Sequence, residues 1–179
     1  VRRGHTDFLD LPCGPRRLRD VLSDLGTALS RQTTNGMAMD PDSGLLFSPA
    51  HFTWMDTNHP AGSPREGYPI EIQALWYAAL ELLAAIEPPD RQEHWRTLAA
   101  KVKTSINRLY FRETLGFCAD CLHGPAGRPA ADGQPDDALR PNQLFAVTMG
   151  AITDPHRTEK IVQACETLLI PGAIRSLAD

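Results

Sequence analysis

The chain has 179 residues, of which 42% are hydrophobic and 22% charged, which excludes a disordered tail and fits one domain of ordinary size. A net charge of −4 and a pI near 5.8 argue against a nucleic-acid partner or an anionic membrane as the target of the surface. No apolar run approaches the ~18 residues of a membrane span. The opening VRRGHTDFLDLPCG lacks the apolar stretch of a secretory signal, and four cysteines without such a signal predict reduced thiols and a cytoplasmic location.

In chain order, Pro15 to about Gln32 places Leu18, Val21, Leu22, Leu25 and Leu29 on one face, a one-sided amphipathic helix. Residues 36–52 read as turn and loop, with Pro41 and Gly44 marking a hairpin or tight turn. A second helix is predicted to open near Pro69 and to stop before Pro88-Pro89. Its stripe of Ile72, Leu75, Trp76, Ala79, Leu80 and Leu83 is backed by Ala74, Ala78, Leu82 and Ala85, so both sides are apolar and the helix is expected to be buried. The third helix runs from Asp90 to about Leu109, with Asp90 and Glu93 in capping-box spacing and Trp95, Leu98, Ala99, Val102, Ile106 and Leu109 inward.

Residues 112–139 form a long polar connection with a short hairpin around Phe117–Leu122, and a loop of that length is usually functional or mobile. A short apolar helix spans Pro141 to Gly150. The last runs from Asp154-Pro155 to Leu169, where Pro171-Gly172 stops it. Half-buried and buried helices alternate along this order. The pattern predicts an all-α fold of two concentric helix layers, an α/α toroid, with a plain helical bundle as the alternative. The two long loops, 33–68 and 112–140, both lead into inner helices and would gather at one mouth.

The chemistry concentrates in FTWMDTNHPAGSPREGYPIEIQALWYAALELL, from Phe52 to Leu83. Asp56 follows Trp54 on a loop ahead of the buried helix. An aromatic face beside a carboxyl group is what sugar hydrolysis uses. The plain reading of the same residues is a turn aspartate and a core tryptophan. Cys118 and Cys121 have CxxC spacing with His123 nearby, which fits a zinc site, a redox pair or two ordinary thiols. No matching ligand pair exists elsewhere, so no metal and no cofactor is assigned. Asp136-Asp137 reads as a solvated loop.

Three blocks in order carry a family resemblance: Thr53-Trp54-Met55-Asp56, then Pro64-Arg65 and Gly67 with Ile70-Glu71-Ile72-Gln73-Ala74-Leu75-Trp76-Tyr77, then Leu139-Arg140-Pro141-Asn142-Gln143-Leu144-Phe145-Ala146-Val147. Met39 to Leu46 ahead of them and Ile170 to Leu177 after them also fit. From about residue 35 onward the chain resembles the glucosidase domain of glycogen debranching enzymes. That resemblance implies an (α/α)6 barrel, here partial, and inverting hydrolysis of α-1,6-linked glucose at the branch points of glycogen or limit dextrin. It implies that Asp56 is the catalytic acid and that Trp54, Arg65, Glu71, Gln73, Arg140, Asn142 and Gln143 line the sugar pocket. Among toroid enzymes of the same mechanism, trehalase- and glucoamylase-like substrates are the alternatives. The family's general base lies downstream of the Arg175-Ser176-Leu177 segment, so none is assigned here. Residues 1–179 are expected to be a single but incomplete domain, which leaves a degenerate remnant that binds glucan or a partner as the non-catalytic reading. An incomplete ring would leave the inner helices short of partners.

Overall fold

The computed structural model describes residues 7–55 and 64–178. A 3-10 turn at Asp7–Asp10 leads into a hairpin of β1 (Pro12–Cys13) and β2 (Arg16–Arg17). α1 (Leu18–Leu29) follows, with Leu18, Val21, Leu22 and Leu29 half-buried and Leu25 exposed. β3 (Ala38–Met39) pairs antiparallel with β4 (Leu46–Phe47), which is the hairpin expected around Pro41 and Gly44. Asp40 organises its turn: its carboxylate accepts the amides of Asp42 at 3.2 Å and, across the fold, of Ala130 at 3.1 Å.

β5 (Gly67–Pro69) runs directly into α2 (Ile70–Ile86), and α3 (Pro89–Leu109) returns after a short turn. Then come β6 (Phe111–Arg112), β7 (Phe117–Cys118), β8 (Cys121–His123), a 3-10 turn at Ala130–Asp132 and β9 (Gln134–Pro135). A 3-10 turn at Pro141–Gln143 opens α4 (Leu144–Thr148). α5 (Pro155–Glu166) is capped by Asp154, whose side chain accepts the Arg157 amide, as the sequence predicts. β10 (Leu169–Ile170) and β11 (Ala173–Ile174) close a final hairpin.

α2 packs against α3, α4 and α1. Ile70, Ala74, Leu80, Ala99, Val102 and Ile106 are fully buried between these elements, and each large side chain of that set contributes about 1.5–3 kcal/mol by leaving water. Trp76 keeps its indole paired by donating to the Gly44 carbonyl at 3.1 Å.

The expected all-α toroid is corrected. The described chain is about 47% helical and 16% strand, in several small antiparallel sheets. Most of the strands are two residues long, too short to show period-two alternation in sequence. The 112–139 connection, expected to be mostly irregular, holds β6 to β9. There β6 pairs with β7, and β8 sits between β5 and β9 in a three-stranded sheet. This sheet joins segments far apart in the chain, which no local pattern reveals. Gly67 makes it possible: its φ is +128°, and a Cβ there would lie 2.2 Å from the Leu122 carbonyl oxygen.

Three smaller expectations also change. α2 is not buried all round, because Leu75 is 44% exposed and Glu81 and Ala85 face water. α3 begins at Pro89 with Pro88 as its N-cap and no side-chain cap bond, so Asp90 and Glu93 do not form the capping box. The fourth helix is split, its first turn being 3-10. Among the described residues, no helix is long and apolar enough to cross a membrane.

Candidate active site

Four separate pieces of chain meet at the start of α2. The first is a loop closed at its neck. Ser48 and Gly67 exchange backbone hydrogen bonds at 2.7 and 3.0 Å, and the His51 amide donates to the Pro64 carbonyl at 3.0 Å. Both edges of the neck hold left-handed backbone at residues other than glycine, His51 at φ 63° and Arg65 at φ 51°. Such a conformation costs about 1–2 kcal/mol per residue and persists where surrounding contacts fix it. Trp54 stands on this loop with 64% of its surface exposed. Asp56 lies outside the described residues.

Arg65 is the fixed point. It is 1% exposed, and its guanidinium is addressed on every side. Nη1 and Nη2 meet the two oxygens of Glu71, the latter at 2.6 Å. Nε donates to Asp120 Oδ2 at 2.8 Å, Nη1 to the Thr53 hydroxyl at 3.1 Å and Nη2 to the Asp120 carbonyl at 3.3 Å. Burial opposes the positive charge, yet the fork with Glu71 and the field of Asp120 outweigh it and hold Arg65 above its ordinary range.

Asp120, in the turn between β7 and β8, collects the other pieces. Its second oxygen accepts from Asn142 Nδ2 at 2.7 Å, and Arg140 Nε lies 3.4 Å from Oδ2. Its backbone carbonyl takes the Ile70 amide at the head of α2 at 3.0 Å, and its own amide donates to the Asp136 carbonyl at 2.8 Å. Burial lifts its carboxyl above the ordinary range, while Arg65, Asn142 and Arg140 draw it back. Its side-chain oxygens are approached by donors, which fits a carboxylate. Asn142 Nδ2 also reaches Met55 Sδ at 2.9 Å. Two buried atoms of the cluster, Arg140 Nε and Asn142 Oδ1, make no hydrogen bond among the described residues.

The sequence-predicted residues therefore converge in large part, with different work for each. Arg65, Glu71, Arg140 and Asn142 share one buried ionic cluster that touches Thr53 and Met55. Gln73 is committed to backbone: its Nε2 donates to Leu46 and Pro69 carbonyls and its Oε1 accepts the Leu46 amide at 2.7 Å. Gln143 likewise accepts the Cys118 amide at 2.9 Å and donates to the Arg140 carbonyl at 3.1 Å. Asp120 is the residue that sequence reasoning missed. Its signal was a single charge at the centre of the apolar run Phe117-Cys118-Ala119-Asp120-Cys121-Leu122, which is not the hairpin expected there, since β7 pairs with β6 and β8 with β5 and β9.

Those cysteines are buried, and burial pushes the Cys118 thiol up to about 12 and raises Cys121 as well. A reactive thiolate needs the opposite shift. His123 contacts the Glu66 carbonyl at 3.1 Å and Asp136 Oδ2 at 3.5 Å. Among the described residues no group of three or more His, Cys, Asp or Glu is placed to hold a metal ion. A polar cleft lined by Arg19, Asp20, Ser23, Asp24, Glu87 and Arg91 shares no residue with the ionic cluster.

Comparison with known proteins follows from this geometry. The chain is similar in structure to a GH78 family rhamnosidase of Bacillus sp. GL1, with a TM-score of 0.53 and 20% identity over 84% of this chain and 14% of that one. A rhamnosidase from Klebsiella oxytoca with rhamnose bound gives a TM-score of 0.46 and 16% identity over 83% of this chain and 26% of that one. The chain thus spans a minor part of the length of either enzyme, and at such identity the first likeness is one of fold. No curated protein matches the chain. A family model described as amylo-alpha-1,6-glucosidase matches residues 5–179. This is a glycoside hydrolase-related domain, and the chain belongs to the amylo-alpha-1,6-glucosidase family, that of the glycogen debranching enzyme C-terminal domain.

Proposed function

We propose that this chain supplies the general-acid half of an inverting α-1,6-glucosidase acting on branched α-glucan, glycogen or its limit dextrin, in the cytoplasm. The observation that carries the reading is the attachment of Thr53 and Met55 to the buried cluster. Arg65 holds Thr53, Asn142 holds Met55, and the next residue in the chain is Asp56. A carboxyl group that must deliver a proton along one direction needs a fixed base to its loop.

In this reading the Asp56 carboxyl donates its proton to the glycosidic oxygen as the C1–O bond breaks. A water attacks C1 from the opposite face and gives its proton to a base, so the glucose released is the β-anomer. Inversion requires about 6.5–9.5 Å between the two carboxyl groups to admit that water. Trp54, standing free on the loop, offers its face to a glucose ring. Arg65 and Asn142 hold the segment ahead of Asp56, Glu71 and Arg140 stand in the same buried cluster, and Gln73 and Gln143 brace the backbone around it.

The test uses the natural full-length protein that carries this segment, assayed on limit dextrin, maltose, trehalose and an aryl rhamnoside. Release of β-glucose from limit dextrin, reduced about 1,000-fold or more in Asp56→Asn, is the expected result. Turnover of another substrate in preference to limit dextrin would overturn the substrate. An Asp56→Asn protein with parental rate would overturn the acid.

A further inference from the structure

Away from the ionic cluster, α1 and the start of α3 face each other with polar side chains. Along α1, Asp20, Ser23, Thr27 and the capping Ser30 recur every three or four residues, so they share one face. Opposite stand Glu87, in the turn after α2, and Arg91 and Trp95, one turn apart on α3. Two clefts of about 630 and 510 Å³ run between these faces and meet at Asp90 and Arg91. Arg91 reaches across: its Nη1 donates to Ser23 Oγ at 3.3 Å and stands 3.7 Å from Glu87 Oε2.

Two atoms of the groove walls lack partners. Glu87 and Trp95 are 7% and 4% exposed, and Glu87 Oε1 and Trp95 Nε1 make no hydrogen bond among the described residues. A carboxylate oxygen accepts and an indole nitrogen donates. A buried polar atom without a partner costs stability, and the large majority of such atoms in folded proteins have one. An open acceptor and an open donor in one groove call for a ligand that brings both kinds of group. Charge narrows its chemistry. Four carboxylates and three arginines line the two clefts. A cation would meet the arginines and an anion the carboxylates. Hydroxyl groups suit both, because each can donate to a carboxylate and accept from a guanidinium. The polar face of α1 from Asp20 to Ser30 is about 15 Å long, the dimension of a short chain of sugar rings rather than of one.

We infer that the groove between α1 and α3 is a second saccharide site, separate from the ionic cluster, that holds a stretch of α-glucan chain. Glu87 and Trp95 are its open acceptor and donor, and Arg91 is the wall common to both clefts. The choice of α-glucan rests on the reading of this chain as part of an α-glucan hydrolase, whereas the groove rests on its own geometry. A branched polymer offers many chains at once, so such a site keeps the enzyme on its substrate between cleavages.

The test uses the natural full-length protein and maltoheptaose. Exposed carboxylates are labelled with a carbodiimide and read by mass spectrometry. Saturating maltoheptaose should lower labelling of Asp20 and Asp90 about threefold and leave Asp42, outside the groove, unchanged. Arg91→Ala should weaken this protection about tenfold in sugar concentration, and Ser23→Trp, which fills the groove, should abolish it. Unchanged labelling of Asp20 and Asp90 in the parent overturns the inference, and so does protection that survives in both variants. If one variant does not fold the other decides, and if neither folds the parent's labelling decides alone. Equal protection by cellohexaose overturns the choice of α-glucan. Turnover of limit dextrin, measured on the same preparation, keeps the two readings apart. Turnover without protection sinks the groove only, and protection without turnover sinks the hydrolase reading only.

Discussion

The guanidinium of Arg65 and the carboxylate of Glu71 meet fork to fork, with 1% and 2% of their side chains exposed. A bidentate pair of this kind is strong in place and harmful when broken, because the surviving charge stays buried without a partner. Glu71→Gln or Arg65→Met should each destabilise the fold by about 3–5 kcal/mol. Urea denaturation of the variants checks this. A loss below about 1 kcal/mol would mean that the cluster opens to water.

The backbone role of Gln73 gives a sharper expectation. Gln73→Leu leaves the Leu46 amide and carbonyl without their side-chain partners in a fully buried place. The cost is about 2–3 kcal/mol. Hydrogen exchange at the Leu46 amide should accelerate in step with it. A variant of unchanged stability but altered KM would instead place the amide on substrate.

Trp54 should behave in the opposite way. With most of its surface in water, Trp54→Ala is expected to leave stability within about 0.5 kcal/mol. The loss of a stacking face should raise KM for limit dextrin about tenfold. Equal KM with a lowered unfolding midpoint would make the ring a structural one.

Between β8 and β9, the hydrogen bond to Asp136, then that to Cys121, pushes His123 up to about 10 from 6.5. The His123–Asp136 contact is 3.5 Å, at the long end of the hydrogen-bond range. Asp136 is lowered in return, chiefly by His123. A raised histidine stabilises the fold fully below its unfolded value and loses that contribution as pH rises through its folded one. A depressed aspartate contributes above its ordinary range and loses it in acid. The stability gap between the parent and His123→Gln should therefore be full near pH 5–6 and shrink toward pH 10. Thermal midpoints across that range check it, and a gap independent of pH would show that the ring acts by packing alone.

How much of this was legible in the sequence varies with the range of the interaction. α2 and α3 are short-range objects, set by apolar spacing and by Pro69, Pro88 and Pro89, and they lie within a residue or two of their expected bounds. The Asp154 cap reads directly because donor and acceptor are three residues apart. The three blocks that meet in the site were also visible as residue types in order. Asp120 was not, since its partners Arg65 and Asn142 lie 55 and 22 residues away, and nothing adjacent in sequence marks it as a charge in need of two donors.

The sequence by itself determined where the helices run, which residues fill their apolar faces and which blocks mark the family. Those properties depend on covalent neighbours and on periodicity, and both are written along the chain. Tertiary structure alone decided that strands two or three residues long join β5 to β8 and β9, that Gln73 and Gln143 serve backbone, and that Arg65 sits between two carboxylates. Each of these is a pairing across distance. A hydrogen bond or an ion pair acts only over a few ångströms, and which groups come that close is settled when the chain packs.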